Sequence, residues 1–344
     1  MITTASPRAV TPHAEKMAVA RPEALQASSG VFAPASRSRH RARALLDAWL
    51  LSMRPRTLPL ACCGIVTGNA LAAVSGAPWR GGIFWAALAT ALLLQLLANL
   101  ANDYGDHAHR ADTSARLGPI RGMQLGLISA VEMKKAIWLV MLLSIFSGAT
   151  LTVLACRALV DTLNFFALGA VSIAAALGYT LGRHAYGYRG LGDLSVFIFF
   201  GWVAVLGSHY LQAHALDPRV FVPATACGLL SVAVLNVNNL RDLDEDRRSG
   251  KITFAAMLGM RRARQYHFVL LTAGFFFLVW SACLWDGERP WVWLFLLALP
   301  LFARNAAAAL RFHEPSQFRA QLPVVIGINM VALGGFTGGL TIGA

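Results

Sequence analysis

Long apolar runs, each ended by a short polar stretch, organise this chain of 344 residues. They cover residues 57–74, 83–101, 136–156, 163–181, 194–211, 221–240, 266–285, 291–303 and 322–342. Several reach roughly 20 residues, the length a helix needs to cross a bilayer. The eighth is interrupted by Arg304 and extends toward Leu310. The pattern predicts an all-α polytopic membrane protein of nine transmembrane helices. Residues 1–46 contain no apolar run and are rich in Ala, Pro, Ser and Arg, so they read as a disordered basic tail. Two alternatives for this stretch are an organellar transit peptide and a start nearer Met17 or Met53. The membrane domain is expected over 47–344.

Composition agrees with this pattern. The chain is 56% hydrophobic and 14% charged, against about 25% charged in soluble domains. Its net charge of +13 first suggests nucleic acid, but topology explains it better. With nine spans, only Arg80, Arg157, Arg219 and Arg289 of the 30 Lys and Arg residues fall on one side. The other side holds the N-terminus and the remaining 26. By the positive-inside rule that side is cytoplasmic, and no nucleic-acid partner is expected. Membrane lipid is the expected surrounding partner. The five cysteines, Cys62, Cys63, Cys156, Cys227 and Cys283, lack metal-ligand spacing and read as small apolar residues.

Acidic residues are scarce, yet seven of the 17 crowd into two stretches that end the second and sixth runs. Residues 99–112, NLANDYGDHAHRAD, carry Asp103, Asp106 and Asp112. Residues 238–251, NNLRDLDEDRRSGK, carry Asp242, Asp244, Glu245 and Asp246. Both fall on the predicted cytoplasmic side. Grouped carboxylates bind divalent cations, and Mg²⁺ favours one or two of them together with substrate phosphates. At helical spacing Asp103 and Asp106 share a face, with Asn99 one turn earlier and Asn102 beside them. Asp242 and Asp246 likewise share a face, whereas Asp244 and Glu245 point elsewhere, toward solvent. Arg241, Arg247, Arg248 and Lys251 are interleaved with them, and cations beside carboxylates suit a departing diphosphate. Plainer alternatives are a fraying helix end for the first stretch and a solvated salt-bridged face for the second. Acids at a helix C-terminus oppose its dipole, so something positive is required there. The two stretches also share an Asn and an Asp four apart, 102/106 and 238/242, consistent with an internal duplication that places two half-sites on a central cavity.

Other features carry less chemistry. Arg116 and Arg121 flank the Gly118-Pro119 turn and could reach a diphosphate or simply mark topology. His107 and His109 lie between carboxylates and read as solvated or as ligands. Residues 182–194, GRHAYGYRGLGDL, could line or cover a pocket through Tyr186 and Tyr188, but lack the context of a phosphate loop. Gly334-Gly335 and Gly338-Gly339 are spaced for close helix packing.

At these residues the chain resembles the UbiA superfamily of intramembrane aromatic prenyltransferases, whose two aspartate-rich motifs follow the second and sixth helices. Here they read Asn102, Asp103, Asp106, Asp112 and Asn239, Arg241, Asp242, Asp246. Asp112 follows Asp106 by six residues where the commonest form has four. That spacing, with RPRTLPLA, RLGPIRGMQ, GYRGLGDLSVFIFFG and NNLRDLDEDRRSGK, resembles the branch that prenylates 1,4-dihydroxy-2-naphthoate for menaquinone. The resemblance spans about residues 48–343.

It implies nine helices around a lipid-open central cavity, with Mg²⁺ bridging both motifs to a polyprenyl diphosphate. Asp103, Asp106, Asp112, Asp242 and Asp246 are then the metal ligands. Asn99, Asn102, Arg116, Arg121, Asn239, Arg241 and Lys251 become the substrate-binding set, and Arg56 is a candidate for the aromatic acid. Asp103, Asp106, Asp242 and Asp246 carry the catalysis. Alternatives are another acceptor such as 4-hydroxybenzoate and, from a different class, a cation transporter. A CDP-alcohol phosphotransferase would need a D-G-x-x-A-R-type motif, and Tyr104-Gly105-Asp106 follows Asp103 instead.

Overall fold

The computed structural model describes residues 34–109, 122–286 and 289–342. The chain forms two units, Met1–Ala44 and Leu45–Ala344. Of the first, the described part is the opening of helix α1 (Pro34–Met53), so the tail boundary expected at residue 46 falls inside a helix. The second unit continues with α2 (Leu58–Val74), α3 (Gly81–Ala108), α4 (Ala130–Ala155), α5 (Leu159–Gly178), α6 (Gly192–Val196) and α7 (Ala204–Ala213). Then come α8 (Phe221–Arg241), α9 (Leu243–Arg248), α10 (Phe254–Asp286), α11 (Leu299–Arg311) and α12 (Gln321–Thr341). Among the described residues nine helical spans are long and apolar enough to cross a membrane, from Arg41–Val74 to Pro315–Thr341.

Local chemistry explains where the helices outrun the apolar runs. α4 starts six residues before its run because Ser129 caps it. The Ser129 Oγ accepts from the Glu132 N–H at 3.2 Å, and Glu132 accepts from the Ser129 N–H at 2.8 Å. α3 continues two turns past its run, through Asp103 and Asp106. Between α6 and α7, residues Phe197–Val203 form a π turn, which re-aims the side chains Phe199, Phe200 and Val203 into a cavity.

α8 is the central element and packs against α10, α12 and the π turn. Its Leu230, Val237 and Leu240 are fully buried in the largest core cluster, together with Leu271, Phe295 and Phe336. Small residues allow the closest crossings. A Cβ at Gly339 would lie 1.9 Å from the Trp291 carbonyl oxygen, and one at Gly335 2.8 Å from Leu294. Gly335 and Gly339 therefore form the packing stripe expected of that helix, whereas Gly334 and Gly338 face open space. The outer faces of α4 and α5 expose Phe146, Val153, Leu159 and Val160, the surface an apolar solvent requires.

Candidate active site

A cavity of about 1440 Å³ lies among α2, α3, α5, α7, α8 and α12. Most of its wall is aliphatic. Polar groups gather at one end, where Asn99, Asn102, Tyr179, Tyr186, Asn238 and Arg241 line it. The two acidic stretches meet there.

In the first stretch Asp103 and Asp106 are both buried in the last turns of α3, the shared face that their three-residue spacing predicts. The Ser52 hydroxyl donates to Asp103 Oδ2 at 2.5 Å. Asp103 Oδ1 is buried and has no hydrogen-bond partner. Asp106 accepts from the Tyr188 hydroxyl, and the Lys251 Nζ sits 3.5 Å from both of its oxygens. Asn99 donates to the Met53 carbonyl at 2.9 Å, which fixes the turn at Arg54, a non-glycine residue at φ 51°. Thr180 donates to the Ala101 carbonyl at 3.0 Å and to Asn102 at 3.1 Å. Gly105 permits this approach, since a Cβ there would lie 2.7 Å from the Thr180 carbonyl oxygen.

In the second stretch Asp242 ends α8 and Asp246 lies in α9, with the Asp246 N–H donating to the Asp242 carbonyl at 2.8 Å. Both are buried. Arg241 donates to Asp242 at 2.6 and 2.8 Å and to Asn238 at 2.7 Å. Asp244 is exposed as expected, but Glu245 is 7% exposed, because one short turn of α9 folds it inward instead of toward solvent. Asn239 is buried without lining the cavity; Asn238 lines it.

Lys251 joins the two stretches. Its N–H donates to the Asp246 carbonyl at 2.7 Å while its ammonium reaches Asp106. It also lies over the Tyr188 ring, 5.3 Å from the centroid. An isolated parallel bridge pairs Arg189 with Ile252, and the Ile252 N–H donates to the Tyr188 carbonyl at 3.1 Å. The glycine-rich loop thus covers Asp106 instead of cradling a phosphate. Burial, with a smaller contribution from the Asp193 carboxylate, holds the Tyr179 phenol above its usual range. Burial also raises Tyr186, partly offset by its hydrogen bond with Ser195.

The sequence-predicted residues Asp103, Asp106, Asp242, Asp246, Asn99, Asn102, Arg241 and Lys251 therefore come together at one end of the cavity. Asp112, Arg116 and Arg121 lie outside the described residues. Arg56 lines the cavity, as do Arg54 and Arg319. Ser52 and Thr180 were not foreseen, since each meets its partner across more than 50 residues of chain and neither sits in a patterned motif.

A divalent cation fits this donor set. Among the described residues no three acidic, His or Cys side chains surround one point, so the protein alone does not close a metal cage. Mg²⁺ characteristically takes one or two carboxylates and completes its shell with phosphate oxygens and water. The unpartnered Asp103 Oδ1 is a buried anionic donor of that kind.

Residues 61–327 match the UbiA prenyltransferase family. The chain belongs to it. This family member is 48% identical over 281 residues to the 1,4-dihydroxy-2-naphthoate octaprenyltransferase of Escherichia coli, covering 80% of this chain and 89% of that one. The Haemophilus influenzae protein of the same name is 42% identical, over 84% and 92% of the two chains. A solved UbiA homologue from Archaeoglobus fulgidus, bound to GPP and Mg²⁺, shares the fold with a TM-score of 0.55 at 12% identity, covering 85% of this chain and 99% of that one.

Proposed function

We infer that this UbiA family member transfers a polyprenyl group from its diphosphate to 1,4-dihydroxy-2-naphthoate in menaquinone biosynthesis. The observation that carries the reading is a deep apolar cavity whose polar end joins two buried aspartate stretches. The naphthoate as acceptor rests on the relatives from Escherichia coli and Haemophilus influenzae.

The reaction breaks the allylic C–O bond and forms a C–C bond to the electron-rich ring. Diphosphate leaves, the ring carboxylate departs as CO₂, and later oxidation gives demethylmenaquinone. Mg²⁺ would supply charge neutralisation for the departing diphosphate. Asp103, Asp106, Asp242 and Asp246 would hold it, with Asp112 as a further ligand. Lys251 and Arg241, both from the second stretch, orient the diphosphate, with Asn102 and Asn238 beside them and Arg116 and Arg121 as further cations. The apolar wall keeps water from the allylic cation, which water would quench. Arg56, with Arg54 and Arg319, offers positive charge to the naphthoate carboxylate. The transferase unit is 47–344, and the basic leader lies outside it. The 26-to-4 distribution of Lys and Arg supports an N-terminus and site loops on the cytoplasmic face of a bacterial inner membrane.

The test is product analysis by mass spectrometry. Purified protein in nanodiscs receives octaprenyl diphosphate and either 1,4-dihydroxy-2-naphthoate or 4-hydroxybenzoate, with Mg²⁺ or EDTA. A Mg²⁺-dependent prenylnaphthoquinone with CO₂ release is expected. Prenyl-hydroxybenzoate alone would overturn the acceptor, and no product from a folded protein would overturn the reading.

A further inference from the structure

Positive charge converges at the end of the molecule remote from the aspartates. Arg80 immediately precedes α3, whose 28 residues span about 42 Å at ~1.5 Å per residue and carry Asp103 and Asp106 at the other end. Arg157 lies in the turn between α4 and α5, and His214 directly follows α7. The packing beneath brings the three together, since Ile83, Ala155 and Leu211, each two or three residues away along the chain, are buried in one core cluster. Arg80 Nη2 donates to the Leu211 and Gln212 carbonyls at 2.6 and 2.8 Å and to His214 Nε2 at 2.9 Å. These bonds satisfy the C-terminal end of α7 and fix the guanidinium in place. The bond to Nε2 makes His214 an acceptor, and so a neutral imidazole. Burial first, then the charges of Arg80 and Arg157, hold it below its usual range.

Two like charges are thus held near each other without a matching acid. Among the described residues Arg80 and Arg157 form no ion pair, and Arg157 is exposed and without a hydrogen-bond partner. Arg219, assigned to the same side by the span count, differs: it donates to Asp217 at 2.7 Å and lies over the Trp285 ring. The carboxylate whose charge reaches His214 is Asp161, which is engaged by the Tyr210 hydroxyl at 2.8 Å. The convergence occurs on the side that holds four of the chain's 30 basic residues, so topology does not call for it. The cluster also borders an apolar flank. Trp79 and Trp85, before and after Arg80, are exposed and bracket the Phe84 ring, with centroids 5.2 and 5.0 Å away. Val153 and Leu154 precede Arg157, Leu159 and Val160 follow it, and all four are exposed. Exposed tryptophans at the end of a span mark the headgroup level of a bilayer.

We propose that Arg157 and Arg80 bind the phosphate of an anionic phospholipid on the membrane face opposite the aspartates, with its acyl chains against Trp85, Val153, Leu154 and Leu159. Arg157 brings an uncommitted guanidinium, and Arg80 one already oriented by α7. The apolar flank selects lipid over a free anion, because a free phosphate gains nothing from apolar surface. The site is separate from prenyl transfer and stands without it.

The test uses the full chain purified in detergent. Affinity for a short-chain phosphatidylglycerol is read from the rise in Tm across a titration. Arg157→Gln should weaken it by at least about tenfold, the scale of losing a hydrogen bond to a charged group. A smaller loss overturns the site. Inorganic phosphate that raises Tm as well as the lipid does at equal concentration also overturns it, since the site would then take a free anion. Should the variant not fold, wild-type protein carrying one equivalent of phosphatidylglycerol with a diazirine beside its headgroup is irradiated. Labelling concentrated at Trp79, Trp85 or Leu159 is expected. Labelling shared with the exposed Trp280 and Trp291, which belong to other helices, or absent altogether, overturns the proposal.

Discussion

Asp103→Asn separates the charge of the first aspartate from its shape. The side chain is fully buried, one oxygen accepts from Ser52, and the other has no partner. A buried polar atom left unpaired costs about 1–3 kcal/mol, and more when the group is charged. Asparagine keeps the volume and an acceptor for Ser52 but removes the charge. The ligand-free variant should therefore be as stable as wild type or more so, by about 1 kcal/mol, or roughly 2 °C in Tm. Ligand should reverse that order. If Asp103 holds Mg²⁺ against a diphosphate, ligand at 100 times its Kd stabilises wild type by about 2.7 kcal/mol, and the variant loses most of this. Turnover should drop at least ~10²-fold, the scale of losing a charge-stabilising group. The assay pairs melting curves, with and without Mg²⁺ and geranyl diphosphate, with product quantification. A variant that melts several degrees below wild type yet retains turnover within about tenfold would refute the argument, because the Asp103 charge would then be structural.

Gly105→Ala forces a methyl to 2.7 Å from the Thr180 carbonyl oxygen; it should cost about 1–3 kcal/mol and lower activity with it, read by melting and turnover. Tyr179 and Tyr186 are held protonated above the ordinary phenol value of about 10. The folded state thus keeps protons that the unfolded chain releases, and stability should fall as pH rises past about 10, a slope reduced in Tyr179→Phe and checked by melting across pH. Inorganic pyrophosphate should raise Tm with Mg²⁺ present and leave it unchanged with EDTA, whereas an equal rise in both conditions would remove the metal from the account.

Much of this architecture was legible because membrane spans announce themselves by length. The run at 57–74 corresponds to α2 within a residue. Where helix and run disagree, polar chemistry extends the helix: Ser129 and Glu132 cap α4 six residues early, and α3 continues through Asn102, Asp103 and Asp106. Spacing also placed Asp103 with Asp106 and both acidic stretches at one end. It gave no hint of Ser52 or Thr180, and marked Tyr188 only as covering a pocket without pairing it to Asp106, because these contacts join distant segments and depend on how helices cross. Glu245 reads as solvated from its neighbours, yet α9 is one short turn and folds it inward.

The charges at the polar end explain why the two acidic stretches need each other. Asp103, Asp106, Asp242 and Asp246 are buried together, and the described cations in contact with these carboxylates are Arg241 and Lys251. Each of these cations is already engaged, Arg241 with Asp242 and Lys251 with Asp106. Among these described groups alone, a diphosphate would meet four carboxylates and two cations in a site of low dielectric, where like charges repel strongly. A divalent cation held by the aspartates would offset that repulsion, and Lys251 and Arg241 could then turn from the aspartates to the phosphate oxygens. The first stretch alone offers a carboxylate pair and, among its described residues, no Lys or Arg, whereas the second offers a carboxylate pair and both cations. Lys251, whose backbone N–H donates to the Asp246 carbonyl while its ammonium reaches Asp106, joins the two into a single polar surface.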